Sequence, residues 1–450
     1  MALKITGRSL LIIGLLIAGL AVFLPLKRPI MHGQLDSDTL GKVVTAAPLW
    51  GSRGLTVVFA DPQKFNFKQL RQRLAELGLT AAIIDSRDFL AHYTDETELC
   101  LSGDLIGNAL QALTKQLSLS SSQRLWVAGI GEAGLIPFLN ALSATDDNVS
   151  NLSIGFSVKL PVDLNLCPPL LSQQQGQDQI LVSAPEIEGS WLTVWSDQPD
   201  DKTGVFIRNL ANIDTRIAPY GTPLDELLLD ELNTASGHND KAVPPLPVVE
   251  VPSSQAQQTA TLFYSGDGGW RDLDRTVAED MAAQNYPVVG VDVLRYFWQH
   301  KTPEQAAVDL SATMAFYRKQ WGVKSFVLAG YSFGADILPA IYNRLPVENQ
   351  DSVKLLVLLA LAEHADFEIH VSGWLGEKGG ELAISPELSK IPRQKVLCVY
   401  GVDEKAESAC TTLQNSEATV LELSGGHHFD QNYPKLTGEI LNVYRRHGID

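Results

Sequence analysis

Short apolar runs alternate with polar stretches of helical length along most of this chain, and the alternation is written twice. In the first half, LTVVFADP (55–62) precedes a helical stretch around 65–77. TAAIID (80–85), a polar helical stretch over about 104–117 and RLWVAG (124–129) follow. In the second half, TLFYSGDGGW (261–270) leads through a polar helical stretch to PVVGVD (287–292). A helix opening at Thr302-Pro303-Glu304 and running to about Gln320 then precedes SFVLAG (325–330). Thr302 suits a helix cap, and Pro303 suits the first turn, where its missing N–H would have had no partner. Strands alternating with helices in this way predict βαβ units and mostly parallel sheets.

The closest echo sets RLWVAGIGEAGLIPFLNALS (124–143) against SFVLAGYSFGADILPAIYNRL (325–345): strand, glycine-rich turn, helix with an internal proline. The aspartates closing the preceding strands, Asp85 and Asp292, also correspond. The expected architecture is therefore two tandem α/β domains from an internal duplication, residues 29–233 and 257–450. Residues 234–256, rich in Pro, Ser and small side chains, would form a linker and a first strand.

Composition changes this picture at one end only. Lys4 and Arg8 precede an apolar run from Leu10 to Leu24 that closes on Pro25-Leu26-Lys27-Arg28. A basic flank before a short apolar run is the pattern of an export signal, here residues 1–28, either cleaved or kept as a single membrane anchor. In an exported chain Cys398 can pair with Cys410, and Cys100 with Cys167; the alternative is four free buried thiols. A net charge of −17 disfavours nucleic acid and anionic lipid as general partners. No metal-ligand spacing is present, and neither a metal nor a cofactor is expected.

Candidate chemistry concentrates in the second half. Gly330-Tyr331-Ser332-Phe333-Gly334 fits G-x-S-x-G directly after a strand and at the start of a helix, the nucleophile-elbow context of α/β-hydrolases. Such a fold carries its acid and then its histidine further along the chain. Strand KVLCVYG (395–401) ends at Val402-Asp403-Glu404, which makes Asp403 the first candidate for the acid and Glu404 the alternative. Strand TVLELSG (419–425) leads to Gly426-His427-His428, with His427 preferred and His428 open. An oxyanion would be received by the N–H of Phe333 and by that of Asp267 or Gly268 in the SGDGGW loop. In the first half Gly131 stands where the nucleophile should be. Asp197 persists in the loop where the acid should be, and TRIAPYG (215–221) has no histidine. That half is expected to be a scaffold or a binding partner without catalysis.

The second half resembles the VirJ/AcvB family of bacterial virulence proteins. The resemblance rests on SGDGGW, VDVLRYFW, GYSFGADILP, FEIHVSGWLG (367–376), the VYG-x-DE loop ending at Cys410, and GGHHFD. An export segment, a degenerate first half and an armed second half are similar to AcvB-type members. The resemblance implies an α/β-hydrolase in the periplasm, facing the inner membrane. It implies hydrolysis of the aminoacyl ester of lysyl- or alanyl-phosphatidylglycerol, and a triad carried over onto Ser332, Asp403 and His427. A cationic headgroup would suit acidic residues such as Asp336, Glu363, Asp366 or Glu368, and Tyr296, Phe297 and Trp298 are candidates to line a lipid-facing cleft. Competing readings are an esterase or thioesterase on another acyl substrate, and a non-catalytic periplasmic adaptor with a secretion-system partner.

Overall fold

A computed structural model describes residues 29–94, 99–120, 123–160, 164–211, 213–237, 244–369 and 380–449. The expected export segment, 1–28, lies outside the described residues. Among the described residues no helix is long and apolar enough to cross a membrane.

The strands of the first half are β1 (Ile30–Ser37), β2 (Gly41–Pro48), β3 (Leu55–Ala60), β4 (Thr80–Asp85), β5 (Leu125–Ile130), β6 (Val149–Ile154), β7 (Lys159–Leu160), β8 (Leu171–Gln175), β9 (Asp178–Ser183), β10 (Ser190–Trp195) and β11 (Asp214–Ile217). Those of the second half are β12 (Val248–Val251), β13 (Thr259–Tyr264), β14 (Val288–Val291), β15 (Ser325–Tyr331), β16 (Val353–Leu359), β17 (His364–Ala365), β18 (Leu382–Ala383), β19 (Val396–Gly401) and β20 (Thr419–Leu423).

The first sheet runs β1-β2-β4-β3-β5-β6-β10-β11 and the second β12-β14-β13-β15-β16-β19-β20. Apart from the extra edge strand β1, the orders match strand for strand, from β2 with β12 to β11 with β20. Directions match too: β2 and β12 run antiparallel to their neighbours β4 and β14, and the rest of each sheet is parallel. The parallel strands are near-continuous apolar runs, as strands covered by helices on both faces must be. β3 is buried throughout, and β15 is buried at every position but its first. What differs lies after β6 and β16, where the first half inserts the small sheet β7-β9-β8 and the second the pair β17–β18.

Apolar packing continues from one half into the other, since Trp195 and Ile217 share a core with Tyr296, Phe297 and Trp298. Polar contacts reinforce that seam. Arg295 Nε donates to the Ile217 carbonyl at 2.9 Å, and Trp298 Nε1 to Thr215 Oγ1 at 3.0 Å. Arg208 stacks over the Trp298 ring at 4.8 Å and sits 3.5 Å from Glu368. The aromatic run at 296–298 is therefore interior and not an exposed lipid-facing wall. Phe297 is wholly buried, packed on Phe333 and Phe367, and Trp298 is 4% exposed against Trp195. Tyr296 is 7% exposed and donates to Asp309.

Both cysteine pairs are bonded, Cys100–Cys167 and Cys398–Cys410, spanning 67 and 12 residues. Closing such loops restricts the unfolded chain by about 4 and about 3 kcal/mol, respectively. Dithiothreitol should accordingly lower the thermal midpoint, and removing Cys100–Cys167 by paired serine substitutions should lower it more than removing Cys398–Cys410. Calorimetry of the oxidised, reduced and substituted chains checks this, and equal midpoints throughout would contradict it.

Candidate active site

β15 delivers Ser332 to the C-terminal edge of the second sheet, and the helix Phe333–Asn343 starts at the next residue. The chain reverses so sharply that Ser332 takes φ 52° and ψ −122°, a conformation in which non-glycine residues are strained. The flanking glycines make the turn feasible. A Cβ on Gly330 would lie 2.4 Å from the Gly334 carbonyl oxygen, and one on Gly334 would lie 2.4 Å from that of Tyr264.

His427 and Ser332 meet across the loop after β20, with Nε2 to Oγ at 2.8 Å. The opposite ring nitrogen, Nδ1, lies 2.9 Å from Glu404 Oε1 and 3.2 Å from Oε2. A carboxylate accepts, so Nδ1 carries the proton and Nε2 is left to accept one from the serine. Glu404, not Asp403, is therefore the carboxylate on the histidine, against the first expectation. The physical reason is the tight turn Val402–Glu404 that follows β19. Asp403 N–H donates to the Gly425 carbonyl at 3.1 Å, pinning the turn so that the Asp403 side chain is exposed and Glu404 is carried under the imidazole.

His428 points elsewhere. Its Nδ1 lies 3.0 Å from the Tyr331 hydroxyl, whose pKa burial pushes well up. The Tyr331 ring also lies 5.3 Å from the His427 ring, bracing it.

The glycine-rich loop after β13 lies beside the nucleophile: a Cβ placed on Gly266 would come within 3.8 Å of Ser332 Cβ. Ser265 fixes the loop's start, donating from Oγ to the Gly266 carbonyl and accepting from Val293 N–H at 3.0 Å. Two buried carboxylates hold the rest. Asp274 accepts from the Gly266 N–H, and Asp292 from those of Trp270 and Arg295. Burial raises the pKa of both, Asp274 well above the usual carboxylate range. Phe333, as the first residue of its helix, has an N–H with no carbonyl a turn behind it, and the residue lines the same hollow as Asp267. Sequence reasoning missed Asp274 and Ser265; the only available signal was a carboxylate and a hydroxyl set at either end of SGDGGW.

Beside Phe333 is a hollow of about 520 Å³ whose second-half walls include Asp267, Arg271, Asp366 and Glu368. Asp336 is not among its lining residues. It is half-buried one turn into the elbow helix, accepts the Ala362 N–H at 2.8 Å, and burial pushes its pKa up to about 8. At neutral pH it mostly holds its proton, so it offers no full charge to a cation. Glu363 does not line the hollow either. No group of residues suited to a metal occurs among the described residues.

A serine hydroxyl, an imidazole accepting its proton and a carboxylate fixing the tautomer form the machinery of a serine hydrolase. Residues 258–447 match the family model described as bacterial virulence protein (VirJ). The second half is similar to that family over nearly its whole length. No curated protein matches the chain. Among solved structures, Est1E from Butyrivibrio proteoclasticus is similar at 14% identity over 45% of this chain and 93% of that one, with a TM-score of 0.34. A thermophilic esterase from Thermogutta terrifontis is similar at 15% identity, covering 45% and 93%, also with a TM-score of 0.34. An alpha-beta serine hydrolase homologue from Coxiella burnetii is similar at 16% identity, covering 43% and 89%, with a TM-score of 0.31.

Two predictions follow from the VirJ domain's geometry. Glu404→Gln should slow turnover, and labelling of Ser332 by a fluorophosphonate, by roughly 10³- to 10⁴-fold, as losing the orienting carboxylate does in other triads. Asp403→Asn should stay within a few-fold of wild type; the reverse ranking would return the acid to Asp403. For Asp336 the folded pKa of about 8 exceeds the 3.8 of an exposed aspartate. Between these values the folded state keeps a proton that the unfolded state releases, so this group's contribution to stability falls as pH rises through the window. Asp336→Asn cannot ionise, so its thermal midpoint relative to wild type should be higher at pH 9 than at pH 5. An offset independent of pH would contradict the assignment.

Proposed function

We propose that the chain is a serine hydrolase that cleaves the aminoacyl ester of aminoacyl-phosphatidylglycerol at the periplasmic face of the inner membrane. The observation that carries this reading is the Ser332–His427–Glu404 relay, at 2.8 and 2.9 Å, next to Phe333, which lines a hollow with Asp267, Asp366 and Glu368. An ester whose acyl group bears an ammonium fits a nucleophile set next to carboxylates. The VirJ match supports the same reading, because lipid-linked aminoacyl esters are what the family resemblance implies. Two disulfides support an exported location, since such bonds persist in oxidising compartments.

In the proposed reaction Ser332 Oγ attacks the ester carbonyl while His427 Nε2 takes its proton and Glu404 steadies the imidazolium. The carbonyl oxygen, now an oxyanion, is received by the N–H of Phe333 and by the loop of Asp267 and Gly268. His427 returns the proton to the departing glycerol oxygen, releasing phosphatidylglycerol. Water, deprotonated by the same histidine, then frees the amino acid and restores the serine.

Purified chain should release lysine or alanine from lysyl- or alanyl-phosphatidylglycerol in vesicles, and Ser332→Ala should reduce that release by at least about 10³-fold. Hydrolysis of simple esters alone would replace this substrate with a general esterase activity. A Ser332→Ala variant that supports every activity of the wild type would favour the non-catalytic adaptor.

A further inference from the structure

The hollow beside Phe333 has a wall that the VirJ domain does not supply. Asp197, Gln198, Pro199 and Asp201, in the loop after β10 of the first half, line it opposite Asp366 and Glu368. By strand order β10 corresponds to β19, so this is the first half's counterpart of the loop that carries Glu404. In its own half the Asp197 carboxylate has no histidine to orient. It turns across the seam to Arg271, whose Nη1 lies 3.2 Å from Oδ1 and 3.4 Å from Oδ2.

Arg271 ends the glycine-rich loop, and its guanidinium lies against that loop's backbone. A Cβ on Gly268 would come within 2.8 Å of Nη2 and 3.0 Å of Nε. The other face of the guanidinium is covered by Tyr220, also from the first half, at 5.0 Å. The Asp197 carboxylate at one edge, the Asp272 carboxylate 3.9 Å from Nε and a phenol on one face thus hold the cation beside Gly268. Because Asp197 is 48% exposed and Arg271 31%, water screens the pair and it adds little to folding stability. Its consequence is positional.

We propose that the first half completes the active site of the second: Asp197 and Tyr220 hold Arg271 against Gly268 and so set the oxyanion loop, while residues 197–201 wall the substrate pocket. Asp197 is a positioning residue, acting on the reaction through Arg271. This inference rests on the serine-hydrolase reading of Ser332.

The test uses the full chain with a neutral p-nitrophenyl ester, so that the charge of the acyl group plays no part. Asp197→Ala should lower kcat by about tenfold, less than the 10²- to 10³-fold loss of a whole oxyanion donor, with KM changed less than twofold. Asp197→Glu should recover most of that loss. Arg271→Ala should show a similar loss, and the double variant should lose no more than the worse single one, since both act through one contact. The thermal midpoint of each should stay close to wild type; if Asp197→Ala does not fold, Asp197→Asn takes its place. A kcat for the Asp197 variant within twofold of wild type, or fully additive losses in the double variant, would overturn the proposal. An inactive wild type that a fluorophosphonate also fails to label would instead remove the serine-hydrolase reading, and this one with it.

Discussion

The reversal of the chain at Ser332 is the constraint around which the VirJ domain is built. A left-handed φ on a serine costs on the order of 1–3 kcal/mol, and it persists only where the surroundings leave no alternative. Those surroundings are identifiable. β15 runs in the middle of the sheet between β13 and β16, so the strand entering the turn cannot shift. Ser332 N–H is tied to the Leu359 carbonyl at 2.9 Å. Gly334 lies so close to the end of β13 that no side chain fits. The strain places Oγ at the open end of the sheet, with the helix start behind it, where a histidine from beyond β20 can reach it.

The same backbone survives in the first half without its chemistry. Gly131 takes φ 63° at the position equivalent to Ser332, and a Cβ on Gly129 would come within 2.0 Å of the Ala133 carbonyl oxygen, as Gly330 does with Gly334. Glycine adopts that φ freely, so replacing the serine removed nucleophile and strain together. The turn remains because β5 and the helix Leu135–Ala141 still need to be joined in a confined space, a packing requirement that is independent of catalysis. The loop after β10, in the place of the acid loop, turns instead to the seam, where Asp197 meets Arg271.

How far the sequence could be read depended on the range of the interactions involved. The alternation of strands and helices along the chain, the elbow and the split between an armed and an unarmed half were legible, because apolar runs and the G-x-S-x-G turn encode local geometry. The choice between Asp403 and Glu404 was not. Successive residues in a tight turn point in widely different directions, and the contact from Asp403 N–H to Gly425 that fixes the turn comes from another strand end. The family resemblance favoured Asp403 as well, so it offered no help at that point. His427 and His428 posed the same ambiguity, and it was settled by Tyr331 occupying His428. Tyr296, Phe297 and Trp298 looked like a cleft because nothing in a single domain explains so many large rings in a row. The seam with Trp195 and Thr215 explains Trp298, the Phe333 side chain explains Phe297, and Asp309 accepts from the Tyr296 hydroxyl.

Charge in the hollow is more selective than the total of −17 suggests. Asp197 is matched by Arg271, and Glu368 by Arg208. Among the described residues Asp267 and Asp366 take part in no ion pair, and Asp366 accepts only a backbone hydrogen bond, from Glu381 at 2.9 Å. Asp267 and Asp366 thus bring to the hollow negative charge that no described side chain pairs, and Asp267 sits in the loop proposed to receive the oxyanion. A negative group there opposes oxyanion formation unless a cation shares the site. Under the proposed reaction the substrate's own ammonium supplies that cation, so a neutral or anionic acyl group would meet a less favourable field at the same serine. Selectivity for an aminoacyl ester would then arise in the charge balance at the transition state as well as in binding.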